Sequence, residues 1–82
     1  MSSRPSQKEK KALMVLLRQI RMEAGLRQVD LAVKLRKPQP FVSRYELGER
    51  RLDIFELRQV CRALGVSLSD FLARFERMLN ES

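Results

Sequence analysis

Eighty-two residues, 44% hydrophobic and 33% charged, describe one globular domain and exclude a disordered chain. A net charge of +7 and a sequence pI of about 10.5 point to an acidic partner, either nucleic acid or an anionic surface. One cysteine and no histidine leave no internal disulfide and little material for metal or redox chemistry, so no metal, no cofactor and no enzymatic activity are expected.

The charge is unevenly spread: residues 1–26 carry net +4, residues 27–51 again +4, and residues 52–82 carry −1. The longest apolar run, Ala12 to Leu17, is six residues, whereas a bilayer crossing needs ~20. Residues 1–11 contain no apolar stretch of the kind a secretory signal needs. A soluble cytoplasmic protein with no membrane partner is expected.

Residues 1–6 are expected to form a flexible arm and residues 7–82 the folded domain. Ser6-Gln7-Lys8-Glu9 fits a capping box, so a first helix begins near Gln7 and ends at Gly25. Leu13, Leu16, Leu17, Ile20 and Ala24 make its inward stripe, and Met14 and Val15 widen the apolar surface beside it. Leu26 plugs the core before a second helix, QVDLAVKL. Arg36-Lys37-Pro38 breaks the chain, and a third helix, QPFVSRYEL, is stopped by Gly48. Asp53-Ile54-Phe55-Glu56 offers another capping box for a fourth helix reaching Ala63 or Leu64 and closed by Gly65. Its inward face is Ile54, Leu57, Val60, Cys61 and Leu64; Cys61 in that line is a small core residue, not a sensor thiol. Val66 plugs, Ser67 or Ser69 caps, and a fifth helix runs from about Leu68 to Leu79. No stretch suits a strand, so the predicted fold is all-α: a single compact five-helix domain.

On the third helix Val42 and Tyr45 are three apart and can face the core together, which turns Gln39, Pro40, Ser43 and Arg44 outward. Arginine can grip guanine, and glutamine adenine, through paired hydrogen bonds in the major groove. Phe41 has two readings, packing on the first or second helix or touching a thymine methyl. Arg36 and Lys37 precede this helix and Arg50 and Arg51 follow it. Charge at both rims fits phosphate clamping better than a merely solvated surface.

Three segments in order, IRMEAGLRQVDLA, QPFVSRYELGERR and ALGVSLSDFL, resemble the phage-repressor-type helix-turn-helix family (lambda-repressor-like, XRE), over roughly Leu13 to Leu72. The resemblance implies a lambda-repressor-like fold in which helices two and three form the helix-turn-helix and residues 39–47 enter the major groove. It implies that Gln28 donates to the DNA backbone and that Gln39 touches a base edge. Pro40, Phe41, Ser43 and Arg44 fill neighbouring positions, with Arg44 the foremost reader. Arg21 and Glu46 match a structural ion pair between the first and third helices. Four residues depart from the pattern. Arg27 stands in place of the usual threonine cap and can reach a phosphate instead, and Arg36 sits where the turn commonly has glycine. Pro38 replaces a serine or threonine cap, and Pro40 is tolerated because it falls in the first helical turn. The family's common core ends near Phe71 or Leu72, so Phe75, Met78 and Leu79 are expected to project past it. They either cover the first helix near Met14 or, the preferred reading, form a two-fold homodimer interface. The function expected is sequence-specific binding of a palindromic double-stranded DNA operator by a homodimer, as a transcriptional regulator that represses. No small-molecule ligand is expected. The alternative is an antitoxin or other protein-interaction module whose DNA binding is secondary.

Overall fold

Five helices and no strand occur among residues 4–81, the residues that the computed structural model describes: α1 (Gln7–Glu23), α2 (Gln28–Leu35), α3 (Gln39–Glu46), α4 (Ile54–Ala63) and α5 (Leu68–Glu81). Of the arm expected over residues 1–6, positions 1–3 lie outside them. Each helix start has a local cause. At α1 the Ser6 hydroxyl accepts from the Glu9 amide at 3.1 Å and the Glu9 carboxylate accepts from the Ser6 amide at 2.8 Å. Asp53 and Glu56 repeat this box at α4, at 2.7 and 3.0 Å. Ser67 caps α5 by accepting from the Asp70 amide at 3.0 Å. Arg27 has no acceptor to offer, so α2 keeps only half a box, the Asp30 carboxylate accepting from the Arg27 amide at 2.9 Å. Pro38 and Pro40 flank the start of α3, where the amides that proline lacks have no intrahelical acceptor and nothing is lost.

Four helices end alike, with an amide bonding back to the carbonyl five residues earlier: Leu26 to Arg21, Lys37 to Ala32, Glu49 to Arg44 and Val66 to Cys61. That geometry puts the preceding residue in the left-handed region. Glycine fills it at three ends; at the fourth stands Arg36.

All five helices bury side chains in one core. Leu16, Leu17 and Ile20 from α1 meet Leu31 and Ala32 from α2, Val42 and Tyr45 from α3, Val60 and Cys61 from α4, and Phe71 from α5. Each large aliphatic in that set contributes ~1.5–3 kcal/mol by leaving water. Cys61 is 1% exposed, and burial pushes its thiol up to about 11, so it carries little thiolate near neutrality.

Two residues of the expected inward stripes are outside. Ala24 is exposed because it is the cap residue of α1, one turn beyond the last packed position, Ile20. Ile54 is 54% exposed. It opens α4, and helical side chains lean toward the N-terminus, which carries this one past the neighbouring helices. A third expectation is corrected on α5. Phe75 and Met78 do not project past the core but pack against it, since α5 runs alongside the long α1 and is tied to it by a two-pronged Arg74–Glu23 ion pair at 3.0 Å. Among the described residues no helix is long and apolar enough to cross a membrane.

Candidate nucleic-acid interface

The turn between α2 and α3 is tight because Arg36 adopts φ 56°, ψ 42°. Its amide bonds the Val33 carbonyl at 3.1 Å and the Lys37 amide bonds that of Ala32 at 3.0 Å. A β-carbon in this region costs ~1–2 kcal/mol, partly offset by the smaller entropy loss of a non-glycine on folding. Arg36→Gly should therefore raise stability by ~0.5–1 kcal/mol, read as a higher urea midpoint with an unchanged slope. A lower midpoint would mean that the arginine side chain itself supports the turn.

Behind the turn, a buried carboxylate organises the start of α3. Arg21 Nε donates to Glu46 Oε2 at 2.7 Å, Arg21 Nη2 to Oε1 at 3.0 Å, and Arg21 Nη1 to the Leu26 carbonyl at 2.8 Å. The side chains are 11% and 4% exposed. The hydrogen bond to Glu46 raises the Arg21 pKa, against the opposing pull of desolvation. Glu46 Oε1 also accepts from Gln28 Nε2 at 3.1 Å, and Gln28 Oε1 accepts from Gln39 Nε2 at 3.0 Å. The direction of this relay follows from its first member. A carboxylate only accepts, so Gln28 must spend a donor on Glu46 and turn its oxygen toward Gln39. Gln39 spends one amide hydrogen in turn. It keeps its other amide hydrogen and its oxygen, the pair that an adenine edge would use.

Gln39, Pro40 and Arg44 are exposed on α3, opposite the buried Val42 and Tyr45. Ser43 is half-buried, its hydroxyl donating to the Pro40 carbonyl at 3.2 Å. Phe41 is half-buried, edge-on to Tyr45 with ring centres 5.6 Å apart and planes at 78°. Its ring also carries two cations, Lys37 Nζ at 5.5 Å and Arg50 Cζ at 4.6 Å from the centre. Each such contact contributes ~0.5–1 kcal/mol at an exposed site. Phe41 thus joins one basic residue ahead of α3 to one behind it.

The six residues expected to meet the DNA backbone are differently occupied. Arg27 holds Asp30 at 2.9 and 3.0 Å, and these hydrogen bonds bring the Asp30 carboxyl down to about 2. Arg50 holds Glu56 at 2.7 and 3.2 Å and donates to the Arg51 carbonyl at 3.0 Å, and its hydrogen bond to Glu56 is the main cause of that carboxyl falling to about 2. Gln28 belongs to the relay. Arg36, Lys37 and Arg51 are exposed. The restraining roles of Asp30 and Glu56 have no signature of their own in the sequence. Both stand at the third position of their helices, where a carboxylate already has a reason to be as a cap.

The family described as Helix-turn-helix matches residues 17–71. A solved structure of an XRE-family like protein from Pseudomonas syringae pv. tomato is 41% identical, with a TM-score of 0.79 over 85% of each chain. The clp gene regulator ClgR from C. glutamicum is 29% identical, with a TM-score of 0.78 over 92% of this chain and 96% of that one. The restriction-modification controller protein C.Esp1396I is 27% identical, with a TM-score of 0.83 over 95% of this chain and 100% of that one. The same controller has been solved as a tetramer in complex with its natural 35 base-pair operator, 28% identical with a TM-score of 0.79 over 92% and 97% of the two chains. No curated protein matches.

Proposed function

The chain belongs to the XRE-type helix-turn-helix family of DNA-binding regulators, and from that membership we propose that it is a sequence-specific transcriptional repressor that binds a palindromic DNA operator as a homodimer. One observation carries the reading: the chain Arg21–Glu46–Gln28–Gln39 fixes the amide of Gln39 at the exposed start of α3. Preorganising a base-reading amide removes an ordering cost that binding would otherwise bear. Gln39 and Arg44 would read base edges, with Pro40 and Ser43 lining the approach and Phe41 acting through the cations on its ring. Arg36, Lys37, Arg50 and Arg51 would hold phosphates on either side, with Arg27 and Gln28 at the start of α2. The operator complex solved for the related controller supports double-stranded DNA as the partner.

Selection from a random duplex library tests the whole reading. An inverted repeat should emerge, its half-sites ~34–36 Å apart, with affinity falling steeply as salt rises. Salt-dependent binding with no enriched sequence would favour a module whose main partner is another protein.

For the dimer, we propose α5 as the interface. Phe75 and Met78 are only half-buried by their own core, Leu79 beside them is also half-buried, and Leu72 is 40% exposed on the same stripe. Leu72→Glu/Leu79→Glu should sediment as a monomer under conditions where the parent protein is dimeric. An unchanged species would remove α5 from the interface.

A further inference from the structure

A cavity of about 690 Å³ opens between the first half of α1 and the loop that follows α3. None of Gln28, Gln39 and Arg44 lines it, so it is separate from the reading surface. Leu13, Met14, Leu17, Leu47, Leu52 and Phe75 supply apolar walls. Lys10, Lys11, Arg50 and Arg51 supply positive charge. The one carboxylate in the lining, Glu9, is engaged in the α1 cap. The size, and a mainly apolar surface edged by charged side chains, fit a small-molecule site.

Tyr45 also forms part of the wall, and its side chain has a second peculiarity. The residue is 2% exposed, and among the described residues its hydroxyl is the buried side-chain polar atom left without a hydrogen-bond partner. Native interiors pair such groups with protein, water or ligand atoms, so this hydroxyl has a hydrogen bond to give at the cavity wall. Burial raises the Tyr45 pKa further above its ordinary value, so the group remains a donor in need of an acceptor. The Met14 thioether lies against Gly48, at the place a β-carbon there would occupy. That makes one wall unbranched and adaptable, able to swing aside.

We propose that this cavity binds a small amphipathic carboxylate. The apolar body packs on Leu13, Leu17 and Phe75, the carboxylate accepts from the Tyr45 hydroxyl, and Lys10, Lys11 and Arg51 balance its charge. A single negative charge on an apolar body suits this lining better than a phosphate, whose greater charge is dearer to dehydrate among leucines. The sequence alone led to the opposite expectation, that no small molecule binds. Arg51 belongs both to the cavity and to the proposed phosphate contacts, so occupancy should lower operator affinity. That consequence rests on the DNA reading above; ligand binding itself does not.

Tyr45 is the single tyrosine and there is no tryptophan, so absorption and fluorescence at the long-wavelength edge of the tyrosine band, beyond phenylalanine absorption, report on this side chain alone. Octanoate, titrated into the full chain without DNA, should shift and quench the Tyr45 signal saturably. Octanol, of equal length and uncharged, should bind at least tenfold more weakly. Lys10→Glu/Lys11→Glu should weaken octanoate at least tenfold with the helical circular dichroism unchanged. By calorimetry, Tyr45→Phe should weaken it several-fold. No saturable response, equal binding of octanol, or insensitivity to either variant would overturn the proposal. So would a Tyr45 signal that follows protein concentration instead, which would assign the cavity to a second copy. A response to phosphatidylglycerol vesicles but not to octanoate would overturn it in favour of a membrane surface. Since these measurements use no DNA, the ligand site and the DNA reading can fail separately.

Discussion

Arg21→Met should lower the folding stability by ~3–5 kcal/mol, because it strands the Glu46 carboxylate inside the protein. Glu46 is 4% exposed and takes two of its hydrogen bonds from Arg21; only the Gln28 amide would remain. Against a typical stability of ~5–15 kcal/mol, that is a large fraction of the total. Replacing both partners, Arg21→Met/Glu46→Leu, should recover most of it, since an apolar pair of similar volume leaves no buried charge. Urea unfolding of the two single variants and the double variant gives the coupling directly. A cost near ~0.5 kcal/mol for Arg21→Met, the value of a solvated surface pair, would refute the buried-carboxylate account. The double variant also separates structure from recognition. It should fold, yet with Glu46 gone Gln28 loses the acceptor that orients it, and Gln39 loses its fixed partner. Weakened operator binding by a stable double variant would locate the relay's contribution in reading, not in holding the fold together.

How much of this was legible beforehand depended on how local each cause is. The boxes Ser6–Glu9 and Asp53–Glu56 lie within four residues, and both helices start where those letters stand. The inward faces of α1 and α4 also followed from periodicity, but only in their middles. Periodicity tells which face is apolar and not where the neighbouring helix ends, which is why Ala24 and Ile54 lie outside. The same gap explains Phe75 and Met78, whose apolar spacing was plain but whose partner was not. The relay was harder still. Periodicity turns Gln39 outward, whereas Gln28 and the Arg21–Glu46 pair come only from family resemblance. Their union in one chain depends on α1, α2 and α3 meeting, across separations of 11, 18 and 25 residues. Nor does spacing reveal that Phe41 gathers Lys37 and Arg50, or that Glu56, already needed as a cap, also grips Arg50.

The restraint on Arg50 distinguishes it from Arg44 and yields the sharpest contrast on DNA. Arg50 is held by Glu56 and by the Phe41 ring at the rim of α3, a fixed guanidinium whose remaining N–H groups suit a phosphate. Arg44 is exposed on α3 itself, and among the described residues no carboxylate holds it, so its guanidinium is available to grip a guanine edge. Arg44→Ala should weaken operator binding by ~1–3 kcal/mol and relax the preference at one base position of each half-site. Arg50→Ala should weaken operator and random duplex alike and reduce the salt slope by ~1 per subunit. Competition assays with the selected operator, its single-base variants and random DNA, at several salt concentrations, read both quantities together. Equal losses on operator and random DNA for Arg44→Ala would make Arg44 a phosphate contact. Specificity would then rest on Gln39, and Gln39→Ala should abolish discrimination at its base position while leaving affinity for random DNA unchanged.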